Sequence, residues 1–212
     1  MAESQRPSRQ YAILFLLVLA PFFLNDFAFM ASRTAEQWLT ADYGSKAAAL
    51  ALIAAFAVLR RPALASLPRR GLKAEALLLA AVCALAILAV DSMITEARDF
   101  FPEELILFRY PKIDQPALYW IDLTFGLALT AVAEEAVFRA IARDFLARHM
   151  SGTLAIVAAS ALIFAAIHWS HGIGAMLTAL FAGAALMALY MRTGSVAPCM
   201  IAHYAVNAAD FL

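Results

Sequence analysis

Cysteine is scarce in this chain: of 212 residues only two, Cys83 and Cys199, are Cys. Both lie in apolar runs and no CxxC spacing exists, which argues against a disulfide framework or a cysteine zinc site and leaves packing as their expected role. Charge is scarce as well, at 15% of residues, and neither sign is in excess, the formal net charge being +0. No overall basic field exists to attract nucleic acid or acidic partners, so recognition must come from local features. The HExxH pattern of soluble metalloproteases is absent. No internal repeat or low-complexity tract stands out beyond Ala-rich stretches.

What the chain does have is apolar length. It is 64% hydrophobic with a mean hydropathy of +0.78, whereas soluble domains are about 45–50% apolar and about 25% charged. The composition predicts one polytopic membrane domain over residues 1–212. Seven apolar runs approach the roughly 20 residues a helix needs to cross the hydrocarbon. They lie near Tyr11 to Ala31, Ser45 to Leu59, Glu75 to Met93, Ala117 to Glu135, Thr153 to Trp169, Gly174 to Met191 and Val196 to Phe211. The first contains Pro21, Asn25 and Asp26 and no convincing cleavage site follows it, so it reads as a retained span rather than a signal peptide. The fold class is thus an all-α helical bundle of about seven transmembrane helices.

Arg60, Arg61, Arg69, Arg70 and Lys73 form the densest basic cluster and read as a cytoplasmic loop. With the N-terminus inside, Arg6, Arg9, Arg139, Arg143, Arg148 and Arg192 join them, about 11 basic residues against about 5 outside. The expected N-terminus is therefore cytoplasmic. From Ile94 to Pro116 the chain turns amphipathic and acidic, which predicts an extramembrane loop with an interfacial helix, or a lid facing a substrate.

Two adjacent glutamates, Glu134 and Glu135, interrupt the fourth apolar run. A carboxylate in hydrocarbon costs roughly 2.5–3.5 kcal/mol, so the pair needs partners, water or a task. Glu135 and Arg139 are i and i+4, the favourable order for an ion pair on one helix face, while Glu134 points about 100° away. Further polar residues sit at His168, four after Phe164, and at His203 and Asn207, again i and i+4. If the fourth and fifth runs form an antiparallel pair turning at Met150 to Gly152, Glu134 and His168 each stand roughly 25 Å from the turn and share one depth.

One Glu, two His and one Asn fit hydrolysis. Glu134 could activate a water for attack on a peptide carbonyl, His203 and Asn207 could donate to the oxyanion, and His168 could orient the water. A carboxylate with two histidines is also a common zinc ligand set, so Glu134, His168 and His203 are the candidates for a metal if one is used. A polar clamp between helices remains the structural alternative.

The segments Glu134-Glu135-Ala-Val-Phe-Arg139, Phe164-Ala-Ala-Ile-His168 and His203-Tyr-Ala-Val-Asn207 resemble the three ordered motifs EExxxR, FxxxH and HxxxN of the CPBP family. This is the family of CAAX proteases and bacteriocin-processing (Abi) membrane proteins, including the type II CAAX prenyl endopeptidases. The segment Tyr190 to Pro198 resembles the family's lead-in to the third motif. The resemblance covers about Asp122 to Asn207 and implies an all-helical intramembrane endopeptidase with a glutamate-activated water, in a motif-bearing core over residues 117–212; no cofactor is expected, with zinc the alternative. It makes Glu134 the base, Glu135 and Arg139 its supporting pair, His168 a catalytic partner, and His203 with Asn207 the oxyanion side. Expected partners are membrane lipid and a protein or peptide substrate cut near the membrane, in a prokaryotic inner or plasma membrane.

Placing Arg143 and Arg148 at the inner end moves the site towards the outer leaflet, which suits trimming the C-terminal anchor or sorting tail of an exported protein. Two rivals stand beside this reading. Cys199, His203 and Asn207 at i, i+4 and i+8 could form a thiol hydrolase. The polar cluster could also serve a non-catalytic immunity, scaffold or transport protein. Asp26, Asp91 and Asp122 are expected in helix–helix hydrogen bonds or at span boundaries, and His171 at the membrane boundary.

Overall fold

The computed structural model describes residues 9–68, 71–209 and 211. Arg6, Arg69 and Arg70 of the inner-side basic set lie outside the described residues. Among the described residues there are eight helices and no strand. They are α1 (Arg9–Ala31), α2 (Ala35–Ala55), α3 (Ala57–Ala65), α4 (Ala74–Glu96), α5 (Pro116–Leu146), α6 (Thr153–Ala166), α7 (Ile173–Thr193) and α8 (Ala197–Ala209). All seven apolar runs are helical.

Their lengths differ from the expectation of about seven spans. Among the described residues four helices, α1, α4, α5 and α7, are long and apolar enough to cross a membrane, or five if α2 and α3 count as one broken span. A bend of 100° separates α2 from α3, at Phe56 with its extended backbone. α6 has 14 residues and α8 has 13, so each reaches only about 20 Å at 1.5 Å per residue, short of the roughly 30 Å hydrocarbon.

α1 shows why the bundle needs lipid. Tyr11, Leu14, Phe15, Val18, Leu19 and Phe22 recur at helical spacing and enter the core, while Ile13, Leu16, Leu17 and Leu24 remain exposed. A helix that is apolar on every side is stable only when its outer face meets protein or hydrocarbon. Exposed Leu85 on α4 and Leu162 on α6 repeat the pattern. The protein is an integral membrane protein.

α5 carries two π-helical stretches, Asp122–Gly126 and Ala136–Ile141, the second beginning directly after Glu135. The Phe138 carbonyl, within the wider turn, accepts hydrogen bonds from Ser160 of α6 at 2.9 Å and from Arg139 at 3.4 Å. Such bulges re-aim side chains and are frequent at functional sites. α6 and α7 approach closely at Gly183, where an added Cβ would stand 2.9 Å from the Ala161 Cα. Thr178 of α7 donates to Asp91 of α4 at 2.9 Å, as expected of an intramembrane acid.

The acidic segment after α4 forms no interfacial helix. It makes two single turns, Arg98–Phe100 and Glu103–Leu105, and then runs irregularly to α5. Pro102, Pro111 and Pro116 lack the amide hydrogen that a continuous helix would require. The strap folds back over the bundle instead, with the Leu107 and Phe108 amides both donating to the Ser170 carbonyl, at 2.8 and 3.1 Å. Phe108 stacks on Phe29 and Trp38, and the Tyr110 hydroxyl donates to Asp122.

Candidate active site

α5, α8 and the turn after α6 bring the six expected residues to one place. Glu135 and Arg139 form a two-pronged ion pair, Nε to Oε2 at 2.8 Å and Nη2 to Oε1 at 3.3 Å, with both side chains inaccessible to solvent. Arg139 also lies over the Phe164 ring, its Cζ 4.6 Å from the centroid. A buried guanidinium held by carboxylate, carbonyl and ring is fixed in position.

His203 stands between the two glutamates. Its Nδ1 is 2.8 Å from Glu135 Oε1, and its Nε2 is 3.9 Å from Glu134 Oε2. The carboxylate held by Arg139 accepts, so Nδ1 carries the hydrogen and Nε2 of the neutral ring is an acceptor. The 3.9 Å gap exceeds a hydrogen bond and has room for a bridging water. His168 repeats the logic: its Nδ1 is 2.9 Å from the Phe164 carbonyl, which again leaves Nε2 as the acceptor. The His168 and His203 rings both pack on Phe164, at 5.0 and 6.1 Å between centroids.

Glu134, His168, His203 and Asn207 line one cavity of about 660 Å³. Its other walls come from segments outside the three motifs: Asn25 and Asp26 of α1, Trp38, Asp42 and Lys46 of α2, and Tyr110 to Ile113 of the strap. Lys46 is buried and pairs with Asp42, which also accepts from Asn25 at 3.2 Å. Asp122 accepts from Tyr43 at 2.8 Å as well as from Tyr110. Asp26 lies beside Ser170 of the turn after α6, and its Oδ2 is buried without a partner.

His171, expected only at a membrane boundary, lines the cavity and meets Phe108 edge-on at 5.4 Å. Burial holds its imidazole below the ordinary pKa. Gly172, next in the turn, has φ +91°, and a Cβ there would lie 2.8 Å from Ile106 of the strap. Lys46, Asp42 and His171 escaped sequence reasoning because nothing in a helical pattern says which neighbours share a cavity. The signal available was a lysine inside an Ala-rich run, which needs a buried partner.

Cys199 donates to the Leu186 carbonyl at 3.4 Å, is fully buried, and is not part of the cavity wall. His203 turns its Nδ1 to Glu135 and its Nε2 towards Glu134, so the helical alignment with Cys199 does not become a thiol–imidazole pair. Among the described residues no three His, Cys, Asp or Glu side chains are grouped as a metal ion needs, Glu134, His168 and His203 included.

No curated protein and no solved structure matches the chain. A family model does, the one described as Type II CAAX prenyl endopeptidase Rce1-like, over residues 116–209. That interval begins with α5 and ends with α8, and so contains all three motifs and none of the walls supplied by α1, α2 and the strap. Over residues 116–209 the chain is similar to the type II CAAX prenyl endopeptidase Rce1-like family, a family of proteases.

Proposed function

We propose that the protein is an intramembrane glutamic endopeptidase that hydrolyses a peptide bond in the cavity beside Glu134. The observation that carries this reading is His203 lodged between an ion-paired glutamate and a cavity-facing one. A water held between Glu134 and His203 Nε2 gives one proton to Glu134 as its oxygen attacks the substrate carbonyl carbon. The tetrahedral oxyanion takes the Asn207 amide as donor, while Glu135 holds the His203 ring in place through its Nδ1 hydrogen. Collapse breaks the C–N bond, and the proton held by Glu134 passes to the leaving amine. His168, with its proton fixed on the Phe164 carbonyl, presents a bare Nε2 to orient the water.

The reading is metal-free, and a zinc-dependent version is the variant it competes with. Activity lost to a chelator and restored by zinc alone would replace it. For substrate we propose the C-terminal anchor or sorting tail of an exported protein, in a prokaryotic inner or plasma membrane. The test is cleavage of such a membrane-anchored substrate by the purified protein in lipid, compared with Glu134→Gln, His168→Ala and His203→Ala. Cleavage by the unaltered chain and loss in all three variants is expected; equal processing by Glu134→Gln ends the proposal and favours an immunity, scaffold or transport role.

A further inference from the structure

We infer that Asp26, with Asn25, forms a subsite that selects a substrate with a positively charged side chain next to the bond being cut. The inference rests on the endopeptidase reading for the words "bond being cut", and on independent geometry for the subsite. Three contacts fix α1 antiparallel to α5: Tyr11 donates to Asp144 at 2.8 Å, Phe15 stacks on Phe145 at 4.3 Å, and Phe22 meets Phe138 at 5.1 Å. One turn on from Phe22, on the same face, is Asp26; one turn back from Phe138, on its same face, is Glu134. The two carboxyls therefore stand at one depth, and both line the cavity.

Among the described residues four buried side-chain atoms lack a partner, the donors Trp38 Nε1 and Ser170 Oγ and the acceptors Asn25 Oδ1 and Asp26 Oδ2. The two acceptors belong to adjacent residues of α1 that both line the cavity and are only 6% and 3% exposed. The Ser170 hydroxyl and amide lie near Asp26 and act on it, yet Oδ2 stays unpaired. The cavity's buried cation, Lys46, is engaged by Asp42, and Lys112 at the rim pairs with Asp114 at 3.0 Å. The carboxyl of Asp122 already receives two tyrosine hydroxyls. Asp26 is thus a buried acid within electrostatic reach of His171 and Lys46 but, among the described residues, in no ion pair, and it stands beside a second unused acceptor. A group rich in donors, free of acceptors and positively charged satisfies both, and a guanidinium or ammonium has that chemistry. Neither residue belongs to the family-matched interval, so the selectivity is carried by this chain's own first helix.

The test uses the full chain in lipid nanodiscs, with hexylguanidinium, hexanol and hexyl sulfate as calorimetric probes, lipid partitioning being common to all variants. Hexylguanidinium is expected to bind saturably and about tenfold or more tighter than hexanol, with Asp26→Asn losing about tenfold and Asp26→Glu retaining most of the affinity. Should Asp26→Asn not fold, Asn25→Leu gives the same comparison through the second acceptor. Equal binding of the cationic and neutral probes by the unaltered chain, or full affinity in Asp26→Asn, overturns the subsite. Because binding needs no cleavage, saturable guanidinium binding without proteolysis sinks the endopeptidase reading alone. Proteolysis indifferent to a Lys or Arg beside the cut sinks this inference alone.

Discussion

The two adjacent glutamates divide their work because of one geometric fact, the angle of about 100° between successive helical residues. Glu135 meets Arg139 and His203 within the protein, and Glu134 meets the cavity. Glu134→Gln should lower turnover by roughly 10²–10⁴-fold while leaving the unfolding midpoint in lipid close to that of the unaltered chain, since glutamine fills the same volume. Arg139→Leu should act the other way, through stability. It strands Glu135 in a dry site, a loss of about 3–5 kcal/mol, and an unfolding curve in detergent matching the unaltered chain would refute the assignment. Cys199→Ala should leave activity intact, because the thiol faces the Leu186 carbonyl rather than the cavity; a loss of turnover with unchanged folding would revive the thiol mechanism. The ion pair was legible from spacing alone, because i and i+4 on a helix are neighbours whatever the fold. The contact of His203 with Glu135 was not, since it joins residues 68 apart in sequence, which only packing of α8 on α5 can unite.

At the scale of elements, the strap and the turn that begins at His168 are locked together. Ser170 accepts two strap amides, and Gly172 beside it leaves room for Ile106 only because it has no side chain. Gly172→Ala meets both a φ of +91° and the Ile106 side chain, so it should cost about 1–3 kcal/mol and displace the turn that begins at His168. The expected kinetic signature is a fall in kcat with partial recovery in Gly172→Ala/Ile106→Ala, which relieves the contact but not the backbone; a variant with unchanged kcat would show that the turn and the strap are uncoupled. Sequence reading recovered the helices here because apolar runs of this length have few alternatives in a membrane. It read the fifth and seventh runs as spans although helix covers only Thr153–Ala166 and Ala197–Ala209 of them, because hydropathy does not mark where an apolar run leaves the helix. It also set a helix in the strap, where the prolines and the aromatic box around Phe108 favour an irregular path.

Among the described residues one set of basic side chains gathers at one end by contacts that no single helix reveals. Arg148 lies over the Tyr11 ring, Arg192 pairs with Glu75 at 3.3 Å, and the Val196 amide donates to the Ser66 carbonyl, joining the starts of α1, α4 and α8 to the ends of α5, α7 and α3 in turn. Arg60, Arg61 and Lys73 belong to the same end through α3 and the start of α4. The cavity lies towards the other end, roofed by the strap and reached from α5 about three turns back from Arg143. For this end the positive-inside rule predicts the cytoplasmic side, which would put the N-terminus and the Met150 turn inside and the strap outside. Single cysteines placed at Ser151 and Asp114, in a chain whose Cys83 and Cys199 are replaced by alanine, decide the matter with a maleimide that cannot cross membranes. Labelling of the Asp114 site on intact cells, and of the Ser151 site only after permeabilisation, is the expected result. The reverse pattern would turn the cavity to the cytoplasm, and a cytosolic tail rather than an exported protein's anchor would then be the substrate the geometry favours.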